Sequence, residues 1–144
     1  MKVGIINTSK HPNPAYKTEG SAGLDLQANI DKKITLKPRA RIAIPTGLSI
    51  ELPKNTEAQI RPRSGLSLKH GITVLNTPGT IDSDYRGEIK VILINLSDQD
   101  FEINDGDRIA QLILNKIVQI SWENTQILTE TNRGGGGFGS TGKR

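Results

Sequence analysis

Leu48-Ser-Ile-Glu-Leu52 alternates apolar and polar residues without a break. Successive side chains of an extended strand point to opposite faces, so Leu48, Ile50 and Leu52 are predicted to share one buried face. Pro53 follows at once, and within sheets proline is confined to strand ends, edges and bulges. The stretch therefore predicts a short, half-buried strand that ends in a turn.

Similar short runs recur along the chain between turn-forming residues. The predicted strands are Lys33–Leu36, Arg41–Ile44, Leu48–Leu52, Glu57–Ile60, Ile72–Leu75, Glu88–Asn95 and Arg108–Ile120, the last divided into two. Arg108–Ile120 also fits a helix, but its β-branched residues and β-rich surroundings favour strand. Many short strands at this spacing predict an all-β fold, namely an antiparallel sandwich, jelly roll or barrel.

One segment carries the signals of a short helix. Ser64 is a candidate N-cap and Gly71 a candidate C-terminal stop. Arg61 and Arg63 stand just before it, and a helix start presents free N–H groups to anions. The segment predicts either an anion site or an ordinary cap beside exposed arginines.

Length and composition narrow the class of protein. The 144 residues fit one domain, which we divide into a β body over 1–132 and a flexible Gly-rich tail over 133–144. Without cysteine there is no thiol nucleophile, disulfide or zinc–thiolate site. No signal-peptide core or membrane-length apolar run is present, so we expect a cytoplasmic protein without membrane contact. A mild net charge of +4 suits an anionic small molecule as well as nucleic acid. Five aromatic residues are too few, however, to expect stable nucleic-acid binding.

The tail, Arg133-Gly-Gly-Gly-Gly-Phe-Gly-Ser-Thr-Gly142, combines groups that suit a nucleoside polyphosphate. Glycine backbones approach phosphate closely, and Arg133 can add a bidentate contact. Ser140 and Thr141 can donate hydroxyl hydrogen bonds, and Phe138 offers a flat face to a base. The same composition is typical of a frayed terminus, so the tail alone leaves both interpretations open.

Gly79–Gly87 lies between two predicted strands and places Asp82 and Tyr85 on a tight connection. A carboxylate there can act as general base toward water, and a tyrosine ring can pack on a sugar. Acidic turns are also ordinary surface features, because aspartate bonds its own backbone.

Two further segments and three single residues carry weaker signals. Asp25 stands between two leucines, and Gln111 begins an apolar strand. The only histidines, His11 and His70, lack metal-ligand spacing, so we expect surface or structural roles for both. Trp122 is expected in the core or at a subunit contact.

Five segments together resemble, in order and spacing, the five motifs of the trimeric dUTP pyrophosphatase (dUTPase) family. These segments are Gly20–Leu26, Arg61–Gly65, Asn76 with Gly79–Gly87, Gly106–Leu112 and Arg133–Gly142. The resemblance runs from Gly20 to Gly142, without departure at a position that the family uses for chemistry. It implies the family's fold, a dUTPase-like β-clip.

The resemblance also implies a reaction, the hydrolysis of dUTP to dUMP and pyrophosphate with Mg²⁺ on the triphosphate. Such a reaction keeps uracil out of DNA and supplies dUMP for thymidylate synthesis. Asp82 matches the base that activates water for attack on the α-phosphorus. Asp25 matches the residue that contacts the metal through water.

The remaining matches imply how substrate is bound. Arg63, Ser64, Gly65 and Gln111 match phosphate-side contacts. Tyr85 matches the residue that packs on deoxyribose, and Asn76 helps a hairpin between Ile72 and Tyr85 to read uracil. In the tail, Arg133 grips the γ-phosphate, Phe138 covers uracil, and Gly139, Ser140 and Thr141 hold the terminal phosphates.

The resemblance further implies a homotrimer whose active sites are shared. The segments around Asp25, Ser64 and Gln111 would come from one chain, Asp82 and Tyr85 from a second, and the tail, as a mobile lid, from a third.

Two other functions fit parts of the same sequence. A dCTP deaminase or bifunctional deaminase of the same fold is disfavoured by Asn76 and by the complete tail. A non-catalytic β-sandwich module for nucleic acid or protein is disfavoured by the mild charge, the few aromatic residues and Asp82.

Overall fold

The computed structural model describes residues 1–137, and within that range the chain contains eleven strands and one helix. In chain order they are β1 (Gly4–Asn7), β2 (Leu24–Gln27), β3 (Ile34–Leu36), β4 (Arg41–Pro45), β5 (Leu48–Glu51), β6 (Thr56–Arg61), α1 (Ser64–His70), β7 (Ile72–Val74), β8 (Gly79–Ile81), β9 (Lys90–Asn95), β10 (Phe101–Ile103) and β11 (Arg108–Lys116). The predicted all-β fold with one short helix is confirmed.

The strands form two larger sheets and two strand pairs, and every pairing is antiparallel. The larger sheets have the strand orders β2-β11-β6-β8 and β4-β9-β7, and the pairs are β1-β5 and β3-β10. One cluster of buried apolar side chains includes Leu26 and Ile60 from the first sheet and Ile44 and Leu93 from the second. Both sheets therefore pack on one core, as in a sandwich.

The alternating stretch behaves as its pattern predicts. Leu48, Ile50 and Leu52 are 4%, 8% and 6% exposed, whereas Glu51 is exposed to solvent. The strand β5 pairs with β1, which lies at the edge of the fold. Burial of a leucine or isoleucine side chain contributes about 1.5–3 kcal/mol, so this face anchors β5 to the core.

The strand prediction missed four strands and divided one wrongly. The missed strands are β1, β2, β8 and β10, with three or four residues each. Such short runs carry little periodicity, although the equally short β3 and β7 were predicted. Arg108–Ile120, predicted as two strands, forms the single strand β11, which ends at Lys116. The Ile117 N–H then bonds the Asn55 carbonyl at 3.0 Å, and the chain leaves the sheet.

The helix ends at the predicted glycine but has a different N-cap. Gly71 ends it in the left-handed conformation, with φ of 65°, as expected of a glycine stop. Arg63, not Ser64, is the N-cap, with extended φ and ψ of −94° and 127° and no side-chain capping bond. The Arg63 carbonyl accepts the Ser67 N–H at 3.1 Å, so Ser64 already lies inside the first turn.

Beyond β11 the described chain continues as an arm without strand or helix, residues 117–137. Val118, Trp122 and Ile127 are 91%, 88% and 83% exposed. Trp122 is therefore not a core residue of the single chain, and only its expected role in a subunit contact stays a prediction. Within residues 1–137, no helix has the length and apolarity needed to cross a membrane.

Candidate active site

An ion cluster on one face of the four-stranded sheet brings two predicted site residues together. The Asp25 carboxylate accepts Arg63 Nε at 3.0 Å on one oxygen and Arg108 Nη1 at 3.1 Å on the other. The Asp25 side chain is only 20% exposed, so water screens these pairs less than it would on an open surface. The cluster joins β2, β11 and the residue that precedes α1.

Strand register explains why Gln111 lies beside this cluster. In the sheet, Asp25 is opposite Gln111, and Gln111 is opposite Arg61, so all three share one row. Gln111 Nε2 also donates to the Pro62 carbonyl at 2.9 Å, which ties β11 to the turn before the helix. Three segments distant in sequence therefore meet at this end of the sheet.

The glycine before β2 packs closely against the Gln111 side chain. A β-carbon at Gly23 would overlap the side-chain carbonyl of Gln111. Gly23 lies in the segment with Asp25, so its missing side chain leaves room for Gln111 beside that carboxylate. Replacement by alanine would displace the Gln111 amide.

Ser64 and Gly65 lie at the exposed start of α1, next to Arg63. Among the described residues, no atom lies within 4 Å of the place where a Gly65 side chain would begin. Backbone and hydroxyl groups here face open space beside the ion cluster, an arrangement that leaves room for an anionic group.

Asp82 lies at a second location, a tight turn that follows β8. The Tyr85 N–H bonds the Asp82 carbonyl at 3.1 Å and closes the turn. The Tyr85 hydroxyl donates to the Glu88 carbonyl at 3.1 Å, and a β-carbon on Gly87 would overlap the tyrosine ring. Tyr85 is therefore held in place, while the Asp82 carboxylate is exposed.

A pocket of about 310 Å³ adjoins the Asp82 turn. Its walls include Thr80, Ile81, Asp82, Tyr85, Glu88 and Lys90. Lys90 was not among the predicted site residues, although the alternation of β9 gives a signal by placing this lysine among outward-facing residues. A cation and a carboxylate thus face the same pocket.

Asn76 lies in the turn between β7 and β8. Its Nδ2 is 3.2 Å from where a β-carbon on Gly79 would lie, so the amide packs tightly on that glycine. The expected hairpin between Ile72 and Tyr85 is wrong as a paired unit. β7 pairs with β9 and β8 pairs with β6, so the chain passes from one sheet to the other at this turn.

The two groups of residues lie apart within one chain. On β6, Ala58 is opposite Ile81, whereas Arg61 is opposite Gln111. At ~3.3 Å per residue, the three steps between Ala58 and Arg61 span about 10 Å, and Asp82 lies one residue further away. A single chain therefore presents two separate groups of candidate site residues, the Asp25 cluster and the Asp82 pocket.

A family model described as dUTPase matches residues 9–142. The chain belongs to the dUTPase family. Its membership, inferred above from five motifs, is confirmed, and the family is one of hydrolases.

Curated dUTPase-family relatives match along almost the whole chain. A deoxyuridine 5'-triphosphate nucleotidohydrolase from Rickettsia akari is 64% identical over 99% of this chain and 96% of its own. Another of that name, from Finegoldia magna, is 56% identical over 99% of both chains. The likeness therefore extends beyond the motifs to the whole fold.

Solved dUTPase structures share the fold at lower identity. Staphylococcus bacteriophage 80alpha dUTPase, solved with dUPNHPP, has a TM-score of 0.89 and 22% identity over 98% of both chains. A mutant dUTPase from phage phi11 of S. aureus, described with a structural Mg(II) ion, has a TM-score of 0.81 and 18% identity over 90% of this chain and all of its own.

Only the beginning of the last dUTPase motif, Arg133–Gly142, lies within the described residues. Arg133 Nε bonds the Gly136 carbonyl at 2.8 Å, and Gly134 N–H donates to the Thr131 carbonyl at 3.0 Å. Arg133 thus begins a local turn at the exposed end of the arm. Phe138, Gly139, Ser140 and Thr141 lie outside the described residues.

Both histidines of this dUTPase-family chain make structural contacts. His11 Nε2 lies 3.0 Å from Asp105 Oδ1, and the His70 ring packs on Phe101 with centroids 5.3 Å apart. The bond from His11 and the Ile30 N–H both lower the pKa of Asp105. In residues 1–137, no three His, Cys, Asp or Glu side chains group as a metal-ligand set.

Proposed function

We propose that this chain hydrolyses dUTP to dUMP and pyrophosphate, as a homotrimer whose sites combine half-sites from neighbouring subunits. Family membership and the names of the close relatives support the reaction. The observation that carries the shared site is the separation of the Asp82 pocket from the Asp25 cluster. A second copy can bring one chain's pocket to another chain's cluster.

The chemistry would begin at Asp82. Its exposed carboxylate would take a proton from water while the water oxygen forms a bond to the α-phosphorus. The bond from that phosphorus to the bridging oxygen breaks, and pyrophosphate leaves with the electron pair. The turn closed by the Tyr85 N–H keeps the Asp82 backbone, from which the carboxylate projects, in a defined position.

The cationic half-site would neutralise charge on the phosphates. Arg63 and the nearby Arg108 carry two positive charges against the single charge of Asp25, so the cluster retains net positive charge. Ser64, Gly65 and Gln111 would add hydrogen-bond donors on the same side. These fixed donors favour the charge that grows on the leaving pyrophosphate.

The donor set fits a metal carried by the substrate better than one caged by the protein. Asp25 is a lone carboxylate, and its two guanidinium partners leave lone pairs that can accept a hydrogen bond from metal-bound water. Mg²⁺ on the triphosphate would supply charge neutralisation there. Asp25 would hold that complex through water.

Selectivity for dUTP would come from the turn residues. Tyr85 would pack on deoxyribose, where a ribose hydroxyl would clash, and its hydrogen bond to Glu88 makes that surface rigid. Asn76 would pair with uracil, so a cytosine amino group would leave polar groups unpaired. Arg133, Phe138, Gly139, Ser140 and Thr141 would close over the nucleotide from a third subunit as a mobile lid.

In the cell, this activity would keep uracil out of DNA and supply dUMP for thymidylate synthesis, and we place it in the cytoplasm. Its direct test is pyrophosphate release from dUTP, dTTP, dCTP and UTP, each with and without Mg²⁺. We expect rapid pyrophosphate release from dUTP but not from the other three nucleotides, and only when Mg²⁺ is present. Ammonia release from dCTP would instead identify a deaminase.

Asp82→Asn tests the assignment of the base. The amide keeps the shape of the side chain but accepts no proton, so turnover should fall about 10²- to 10⁴-fold. Binding of the imido analogue of dUTP, measured by calorimetry, should change little. Asp84→Asn, on the same turn, is the control, and full activity of Asp82→Asn would exclude this base.

A further inference from the structure

Arg108 is an unpredicted member of the Asp25 cluster, and its direction depends on an irregularity in β11. Gln111 is opposite Asp25, and Ala110 is opposite Leu26. The next residue of β2, Gln27, is opposite Arg108 rather than Ile109, so the register shifts by one residue. Ile109 and Ala110 are both buried, at 2% and 0% exposure. One extra residue in β11, a β-bulge, therefore interrupts the alternation.

The bulge decides which face of the sheet Arg108 occupies. Ala110 is buried, so strict alternation toward the start of β11 would expose residue 109 and bury Arg108 in the core. With the bulge, Ile109 stays buried and Arg108 emerges, half-exposed, on the face of Asp25. The strand irregularity thus converts a core position into a member of the ion cluster.

The backbone that leads into Arg108 is firmly held. Gly106 has a φ of 82°, a conformation that favours glycine, and its N–H bonds the Ala28 carbonyl at 2.8 Å. Gln27 Nε2 donates to the Gly106 carbonyl at 2.8 Å, and the Ala28 N–H donates to the Asp107 carbonyl at 2.9 Å. These bonds fix the starting point of the arginine side chain.

Arg108 holds Arg63 as well as Asp25. Arg63 Nη1 donates to the Arg108 carbonyl at 3.0 Å, while Arg63 Nε bonds Asp25. The three residues form a closed set in which each contacts the other two. Any loosening of Arg108 therefore affects the direction of both a carboxylate and a guanidinium that face the candidate site.

We propose that Arg108 is a positioning residue, which acts on substrate through Asp25 and Arg63. This inference rests on the proposed function. By holding both groups before substrate arrives, Arg108 reduces the cost of ordering them when the polyphosphate binds. Position 108 would belong to the core by strand alternation alone, and the bulge instead gives it a role in positioning site residues.

The test compares Arg108→Gln, Asp25→Asn and the double variant. Arg108→Gln should lower kcat/KM for dUTP about tenfold, as expected for one charge-assisted hydrogen bond in a half-exposed site. It should weaken binding of the imido analogue by a similar factor. Because Arg108 acts partly through Asp25, the losses of the two single variants should combine to less than their product in both measurements.

Two further variants separate positioning from other roles. Arg108→Lys keeps the charge but not the guanidinium fork, so it should recover only part of the lost activity. Arg41→Gln, an exposed strand arginine elsewhere, should leave kcat/KM unchanged. The thermal midpoint of Arg108→Gln should stay close to that of the unchanged protein, since half-exposed ion pairs contribute little to stability.

Three results would overturn the inference. These are full activity of Arg108→Gln, losses that multiply exactly in the double variant, and a large fall in thermal midpoint without recovery in Arg108→Lys. Multiplying losses would indicate that Arg108 contacts substrate independently of Asp25. If the unchanged protein releases no pyrophosphate from dUTP, the proposed function itself fails, which is a distinguishable outcome.

Discussion

At the residue scale, Asp105 connects three parts of the chain. One carboxylate oxygen lies 3.0 Å from His11 Nε2 and accepts the Ile30 N–H at 3.0 Å. The N-terminal segment that contains His11 continues into Pro12 and Asn13, which line a pocket beside Asp25 and Arg108. Asp105 therefore holds the N-terminal segment that lines this pocket beside the Asp25 cluster.

The lowered pKa of Asp105 makes a prediction about acid stability. The hydrogen bond from His11 and the Ile30 N–H favour the charged carboxylate, so its pKa is lower in the folded state. Its stabilising effect is therefore present above the ordinary aspartate pKa and is lost as pH falls below about 4. Asp105→Asn should lower the thermal midpoint at pH 5 and 7.

That difference should shrink at pH 3, below the ordinary aspartate pKa, because the stabilising effect of the charged form is lost as pH falls. Midpoints are compared at one protein concentration, because association shifts them. Asp31→Asn is the control, since that side chain is 97% exposed. An equally large difference at pH 3 and pH 7 would contradict the linkage.

At the scale of single elements, β9 is the central strand of its sheet, between β4 and β7. Val91, Leu93 and Asn95 alternate inward, and Leu93 is fully buried. Asn95 is buried too, but its Nδ2 donates to the Leu36 and Gln99 carbonyls at 2.9 and 2.7 Å. This strand therefore carries packing and a satisfied polar group together.

Leu93→Ala should lower the free energy of unfolding by about 2–5 kcal/mol, the usual cost of removing a buried leucine side chain. Urea denaturation at one protein concentration measures the change. Leu96→Ala, just beyond the strand and 50% exposed, should change it by no more than about 0.5 kcal/mol. Equal losses in the two variants would show that β9 is not a packing centre.

The strands with clear alternation in the sequence were predicted best. β5, β6 and β9 show alternation in the sequence and were predicted within two residues. β10 has three residues and pairs with β3, which lies more than sixty positions earlier. Such a strand exists because a distant partner offers hydrogen bonds, and no local pattern encodes that partner.

At the scale of the whole molecule, one chain holds two separate groups of candidate site residues and an exposed arm. The Asp25 cluster and the Asp82 pocket lie toward opposite ends of β6. Trp122 and Ile127 of the arm are almost fully exposed in the single chain. Apolar exposure of this kind is typical of surfaces that contact another subunit, which supports the proposed trimer.

If subunits share active sites as proposed, trimers that contain two different inactive variants should recover activity. Arg63→Gln and Asp82→Asn should each be nearly inactive alone, because each removes one half-site from every site. When the two are co-expressed and assemble at random, about one site in four should combine an intact Arg63 with an intact Asp82 from different chains. Turnover should therefore return to roughly a quarter of the normal value.

Mixing the two variants as preformed assemblies without subunit exchange is the control, and it should recover no activity. Sedimentation of the co-expressed protein checks that it is a trimer. Co-expressed variants that remain as inactive as each alone would place both residues in a site within a single chain.

By itself, the sequence determined the class of fold, the core face of β5 and the residues able to do chemistry, because alternation, turn formers and functional groups are local properties. Only the tertiary structure decided that Arg63, not Ser64, caps the helix and that Arg108 joins Asp25. The contact of Arg108 with Asp25 depends on the register of β2 and β11, which pairs segments far apart along the chain. A bulge of one residue reverses the face of a side chain, and pattern alone cannot show where pairing will place it.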